Sequence, residues 1–304
     1  MAHHHHHTPT TGRAFVASIA LTFGFVLAEA AAGWYANSLA LLSDAGHNFA
    51  DGLALLFSFY ALRAARKPAD ARRTFGYHRV GVLAALVNAV SLVLIALSIF
   101  CEAWLRLRRP EPVAPGWMIG VALAAVALNG LIAAWLHAGA RHDLNVRSAY
   151  LHMLGDALSA VGVAAAGVLV ALTGWEAADP LVSLLIGGLI LYTSWGVLTE
   201  AVDVLLESAP RGLDLAEVGR AVRRCPGVLD VHHLHAWTVG PALAACSLHL
   251  VVAEGSTRES QQIQQAVARV LEREFHLTHC TIQVEVEDCH AGGPHGRGPG
   301  CHGH

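Results

Sequence analysis

The stretch SLALLSDAGHNFAD, residues 38–51, sets Asp44, His47 and Asp51 inside an apolar run that continues to Leu62. A bilayer core needs about 20 mainly apolar residues per helix, and residues 39–62 meet that length despite their polar groups. Five more windows do the same: 14–33, 80–101, 116–136, 148–172 and 181–199. The 304 residues are 54% hydrophobic and only 14% charged, with a mean hydropathy of +0.46. A membrane protein is expected, and an ordinary soluble one is excluded. Twenty Lys and Arg against 23 Asp and Glu leave a net charge of -3, without the basic excess that nucleic-acid binding requires. Histidine occurs 20 times, an excess that points to metal or proton handling.

The expected spans differ in chemistry. Windows 80–101 and 116–136 carry no acidic or basic side chain, whereas 148–172 holds His152 and Asp156, four apart like His47 and Asp51. No secretory signal is expected, because Glu29, Trp34 and Tyr35 follow the first apolar run and further spans follow them. Arg63, Arg66, Lys67, Arg72 and Arg73 make the loop after the second span strongly basic, so it should be cytoplasmic. Six spans then leave both termini cytoplasmic, with Arg141 and Arg147 also inside and Arg106, Arg108 and Arg109 outside.

Beyond Glu207 the apolar density falls and periodicity changes. A helix is expected at 214–224, strands at 228–239 and 243–252, a helix at 257–275 and a strand at 281–286, giving a small α+β domain of order αββαβ. The expected division is a tail at 1–12, a six-helix membrane domain at 13–206, a cytosolic domain at 207–288 and a disordered Cys/His-rich tail at 289–304. His3 to His7, directly after Met1-Ala2, read as an expression tag. Of the six cysteines only Cys101 lies in a span; Cys225, Cys246, Cys280, Cys289 and Cys301 should be cytosolic and reduced.

At 1.5 Å per residue, Asp51 lies about 18 Å from the outer end of its span and Asp156 about 12 Å from the inner end of its own. In a core of about 30 Å these depths coincide, so two imidazoles and two carboxylates can converge. Each ionisable group at that depth costs about 2.5–3.5 kcal/mol, and a divalent cation is the natural compensation. Two nitrogens and two oxygens suit zinc, while the absence of thiolate argues against Cu(I). Without metal the two carboxylates are poorly solvated and take up protons, so metal and H+ compete for the same atoms. That competition describes a metal/proton exchanger. A lone His or Asp in a span often only ties helices together, and Glu29 and Asp44 have that reading or a place on a water path. No phosphate-binding G-x-x-x-x-G-K-[ST] run occurs and Lys67 is the only lysine, so no ATP is implied. An integral membrane zinc hydrolase would offer an open metal position and a separate base, as in H-E-x-x-H, which is lacking here. A membrane-anchored metal sensor would leave the buried quartet without a purpose.

Residues 38–51 resemble the second-helix signature of the cation diffusion facilitator family. RTFGYHR at 73–79 resembles the entry to that family's third helix, and His152-x-x-x-Asp156 resembles its fifth-helix motif. VHHLHAW at 231–237 and TIQVE at 281–285 resemble its cytosolic strands, so the likeness covers about residues 13 to 288, with bacterial zinc, cadmium and cobalt resistance exporters foremost. The resemblance implies a homodimeric, proton-coupled exporter in a bacterial inner membrane, with Zn2+ as transported substrate, H+ as counter-ion and no enzymatic activity. It implies His47, Asp51, His152 and Asp156 as transport ligands, and a metallochaperone-like cytosolic domain that binds metal and dimerises. Strand alternation puts His233 and His235 on one face and His232 on the other, while the resemblance assigns a cytosolic zinc to His232, His249 and Glu285. His235, His279 and Cys289 are further candidates, with Cys280 beside them. Gln283 stands where some relatives have a ligand His, and Asp70 with His78 is a poor remnant of a loop site found in others.

Overall fold

The computed structural model describes residues 12–137, 139–141, 144–240 and 243–286. Six long helices come first: α1 (Gly12–Ala36), α2 (Leu39–Ala65), α3 (Arg79–Arg108), α4 (Pro115–Leu136), α5 (Leu144–Thr173) and α6 (Ala178–Leu205). Four of them, α3 to α6, are long and apolar enough to cross a membrane, yet no more than 44% of their most apolar windows is buried. Leu27, Leu131, Leu185 and Leu172 stand more than 65% exposed. Apolar side chains that face outward in such number need lipid rather than water around them. Trp34, Trp104, Trp117 and Trp175, all exposed, sit at the α1 and α3 C-termini, the α4 N-terminus and the α5–α6 turn. Tyr35 and Trp117 meet edge to face at 5.4 Å, as expected of an aromatic belt at one membrane face.

The helix ends follow local chemistry. Asn37 takes the left-handed conformation between α1 and α2, and the Ser38 hydroxyl accepts a hydrogen bond from the Leu41 backbone N–H. Pro115 opens α4, where a missing N–H costs nothing. Helix α3 runs to Arg108 instead of ending near residue 101, because Arg106 reaches back one turn to Glu102 at 3.0 Å and the polar end stays helical. Small residues let the helices approach: Ala40, Ala96, Ala122 and Ala166 belong to one buried cluster with Leu41, Met118 and Ile190. At Gly187 an added Cβ would meet Phe100 at 2.9 Å.

The chain divides into two compact units. One holds residues up to Tyr60 with Ala84–Leu198; the other holds Ala61–Leu83 with the chain from Thr199 onward. In the second unit lie α7 (Leu215–Arg223), β1 (Val228–Gly240), β2 (Leu243–Val252), α8 (Thr257–Phe275) and β3 (His279–Glu285). This is the expected αββαβ order. The sheet order is β1-β2-β3, with β1 antiparallel to β2 and β3 parallel to β2. Asp214 caps α7 through the Ala216 N–H, and Ser256 with Glu259 forms a reciprocal capping box on α8. Leu248, Leu250, Val267 and Leu271 close the core between sheet and helices.

Candidate metal centre

His47 and Asp51 lie one turn apart on α2, and His152 and Asp156 one turn apart on α5. The Oδ2 of Asp51 is 3.5 Å from His47 Nε2 and 3.4 Å from His152 Nε2. The two Asp156 oxygens stand 3.6 Å from the same two nitrogens, Oδ1 facing His47 and Oδ2 facing His152. These separations are too long for good hydrogen bonds. His47 Nδ1 and Asp51 Oδ2 are buried without a hydrogen-bond partner. Ligand atoms of His47, Asp51 and Asp156 lie within 4.8 Å of one another, and His152 flanks this gap through its approaches to both carboxylates. A cavity of about 390 Å³ reaches them between α2, α3, α5 and α6, and a second of about 540 Å³ reaches Asp51, His152 and Asp156 between α1, α2, α4 and α5.

Buried polar contacts hold the two helices in place. Ser159 of α5 donates to Asp44 of α2 at 2.9 Å, and Asn48 of α2 donates to Glu29 of α1 at 2.9 Å. Glu29 and Asp44 are 1% and 2% exposed, so both are interior groups. Asp179, to which the sequence reading gives no role, is fully buried. It accepts from the Ser38 hydroxyl at 2.6 Å and from the Leu39 and Ala40 N–H groups at 2.7 and 3.2 Å. A carboxylate there satisfies orphan donors at the start of α2 and complements its dipole. Its only sequence signal is an acidic residue in the first turn of an apolar helix.

A second cluster lies on the small sheet. His232 pairs with His249 across β1 and β2, and His249 pairs with Gln283 across β2 and β3, two residues before Glu285. Glu285 approaches His232 Nε2 at 3.1 Å and His249 Nδ1 at 2.7 Å. Gln283 donates to the Glu285 carboxylate at 2.7 Å and so helps to orient it. The alternation expected for β1 does not hold. A register shift between His232 and His235 marks a bulge, and His233 takes a left-handed φ of 48°. The extra residue turns the His233 ring toward His232 and His249, at centroid distances of 5.2 and 5.0 Å.

The remaining candidates stand elsewhere. His235 is exposed, pairs with Ser247, and lies 6.4 Å from the His233 ring, so the bulge that recruits His233 leaves His235 outside the cluster. His279 begins β3, about 20 Å of strand from Glu285, and is exposed with its ring edge-on to Phe75 at 5.1 Å. Cys280 pairs instead with Cys246, whose thiol donates to it at 2.9 Å; this hydrogen bond pushes the Cys246 thiol up and holds Cys280 below the usual thiol range. Cys289 lies outside the described residues. In the α2–α3 loop Asp70 is a turn carboxylate. Hydrogen bonds from the Tyr77 hydroxyl and the Arg73 and Arg72 N–H groups hold it below the ordinary carboxylate range. His78 packs at Gly240, where an added Cβ would meet its own Cβ at 2.7 Å.

Comparison with known proteins locates these features in a wider set. Residues 15–206 match the cation efflux transmembrane domain, and residues 210–287 match the cation efflux protein cytoplasmic domain. The zinc transporter ZitB of Escherichia coli (strain K12) is 40% identical, over 99% of this chain and 96% of that protein. The cadmium, cobalt and zinc/H(+)-K(+) antiporter of Bacillus subtilis is 35% identical, over 93% of this chain and 92% of its own length. The metal cation efflux system protein CzcD of Cupriavidus metallidurans is 37% identical, over 94% and 90% respectively.

Proposed function

Since this chain belongs to the cation efflux family, the cation diffusion facilitators, we propose that it exports divalent metal, zinc foremost, through His47, Asp51, His152 and Asp156 in exchange for protons. One observation carries the site: four imidazole–carboxylate separations of 3.4–3.6 Å around a common gap. A zinc ion holding its ligands at about 2.0–2.2 Å in a tetrahedron spaces them about 3.3–3.5 Å apart. The His47 and His152 ring centres are 6.2 Å apart, wider than the roughly 5 Å of a closed pair. Such a cage suits cargo that must leave.

The exchange follows from the ligand set. Two carboxylates neutralise a dication, and the same atoms take protons when it departs, so each ion displaces the other. The second cavity is lined by residues 48–58 of α2, 149–156 of α5 and 128–136 of α4, whereas the first takes only His47 and Asp51 from α2 and spans the middle of α6. In the topology set by the basic α2–α3 loop the second cavity extends from the quartet toward the cytosolic side. The proton gradient then supplies the driving force and no ATP is required. The family consists of transporters, which removes the hydrolase alternative, and a sensor reading leaves the intramembrane quartet without use.

The cytosolic cluster of His232, His249 and Glu285 fits a resident metal. His249 Nδ1 lies 2.7 Å from Glu285 without hydrogen-bond alignment, closer than two tetrahedral zinc ligands stand, so this pair opens by about 0.6 Å to admit an ion. Bound there, a metal supplies a crosslink between three strands. We assign the protein, as a homodimer, to a bacterial inner membrane with both termini in the cytosol.

The test is zinc-driven proton flux in reconstituted vesicles. The parent protein gives flux, and Asp156→Ala, still folded and dimeric, gives none; parental flux in that variant would remove the quartet from the transport path.

A further inference from the structure

We propose that His233 is a third imidazole ligand of the cytosolic metal, so that His232, His233, His249 and Glu285 form a four-ligand zinc site within a single protomer. The inference rests on the reading of His232, His249 and Glu285 as a metal site and deepens it.

Three ring separations carry the argument. The centroids of His232 and His249 are 5.1 Å apart, those of His232 and His233 5.2 Å, and those of His233 and His249 5.0 Å. Zinc holds an imidazole nitrogen at about 2.0–2.1 Å, which puts each ring centre about 3.2 Å from the ion. Three imidazoles of a tetrahedral set then stand with centres about 5.2 Å apart. The triangle of ring centres already has those dimensions, and Glu285 stands against two of its members; the ligand atoms of His232, His249 and Glu285 lie within 4.8 Å of one another, and the His233 ring turns in place to bring a nitrogen to them.

The backbone is arranged for this at a cost. Pleating alone would send His232 and His233 to opposite faces. Between the pairs His232↔His249 and His235↔Ser247 the β1 strand holds two residues where β2 holds one. His233 absorbs the mismatch in the left-handed region, φ 48°, which a residue with a Cβ adopts reluctantly. Such strain in a strand calls for a local reason. Returning a third imidazole to the face of His232 and His249 is one. Three nitrogens and one carboxylate oxygen are hard-to-borderline donors suited to zinc in a closed structural site. The position needs no ligand from a second copy of the chain.

Zinc affinity of the purified full-length protein, measured against a chelator, tests this with the Asp51→Ala/Asp156→Ala background to silence the membrane quartet. His233→Gly suits the left-handed backbone, so the metal-free protein keeps or gains thermal stability. Its tightest zinc is expected to weaken on the order of 100-fold, the upper end of what even an outer-shell partner contributes, with loss of the zinc-induced rise in Tm. His235→Ala, the exposed neighbour, leaves both readings at the parental value. Cobalt absorption adds a geometric readout: a tetrahedral spectrum in the parent that fades in His233→Gly. Parental zinc affinity and cobalt spectrum in His233→Gly, with a loss in His249→Ala, would overturn the role of His233 while leaving the three-residue site. Parental affinity in His249→Ala as well would overturn both.

Discussion

Asp179 illustrates how a single side chain fixes the position of others. It is fully buried, yet it accepts three hydrogen bonds from the start of α2, with Arg106 4.0 Å away. Removing one partner from buried hydrogen bonds leaves the donors unsatisfied, at about 1–3 kcal/mol. Asp179→Ala is therefore expected to lower the Tm of the detergent-solubilised protein by that equivalent, and Asp179→Asn by less. His47 and Asp51 lie further along the same helix and keep their own contacts with α5, so zinc affinity at the quartet should survive in whatever fraction stays folded. A variant as stable as the parent would show that the cap is dispensable.

At the level of helices and strands, close approach is the controlling feature, and neighbouring glycines allow it to be measured. An added Cβ at Gly187 meets Phe100 and Ile99, whereas at Gly188 it meets nothing within 4 Å. Gly188→Ala should stabilise α6 by up to about 1 kcal/mol through helix propensity. Gly187→Ala should instead lose about 1–3 kcal/mol to overpacking, and the two melting curves would move in opposite directions. Equal shifts would mean that α3 and α6 are not held at this distance. The sequence made most elements legible. Strand β2 and helix α8 lie at the expected residues, because period-two alternation and a Ser256/Glu259 capping box are local signals. The quartet was legible too, since two identical spacings on long apolar windows need only helical periodicity to converge. What stayed hidden depends on partners distant in the chain. Arg106 prolongs α3 by pairing with Glu102 and the Asn37 carbonyl. Asp179 acts on Ser38, 141 residues away. The β1 bulge reverses the face of His233, and alternation alone misassigned it alongside His235. A bulge is set by the register of the partner strand, which no local pattern in β1 reveals.

For the molecule as a whole, the proposed function calls for two metal positions of different character. The ring centres of His47 and His152 are 6.2 Å apart and those on the sheet 5.0–5.2 Å; in the function proposed above, the first pair holds passing cargo and the second cluster an ion that stays. Transport should accordingly weaken with acid on the cytosolic side. Protons occupy the ligand atoms there, so the apparent zinc affinity for export falls as cytosolic pH falls. Flux measured at fixed zinc across a pH series would show a pH-independent affinity if no such competition existed. The central claim, that dication and protons share the same four side chains, is tested most directly by counting protons released per zinc bound. Titration calorimetry of the purified protein in buffers of different ionisation enthalpy gives that count, and the Asp51→Ala/Asp156→Ala protein supplies the contribution of every other site. The account predicts that the difference between the two is a net release of protons with each zinc taken up by the quartet. A zinc ion bound at the quartet with no proton released over the whole pH range would contradict it.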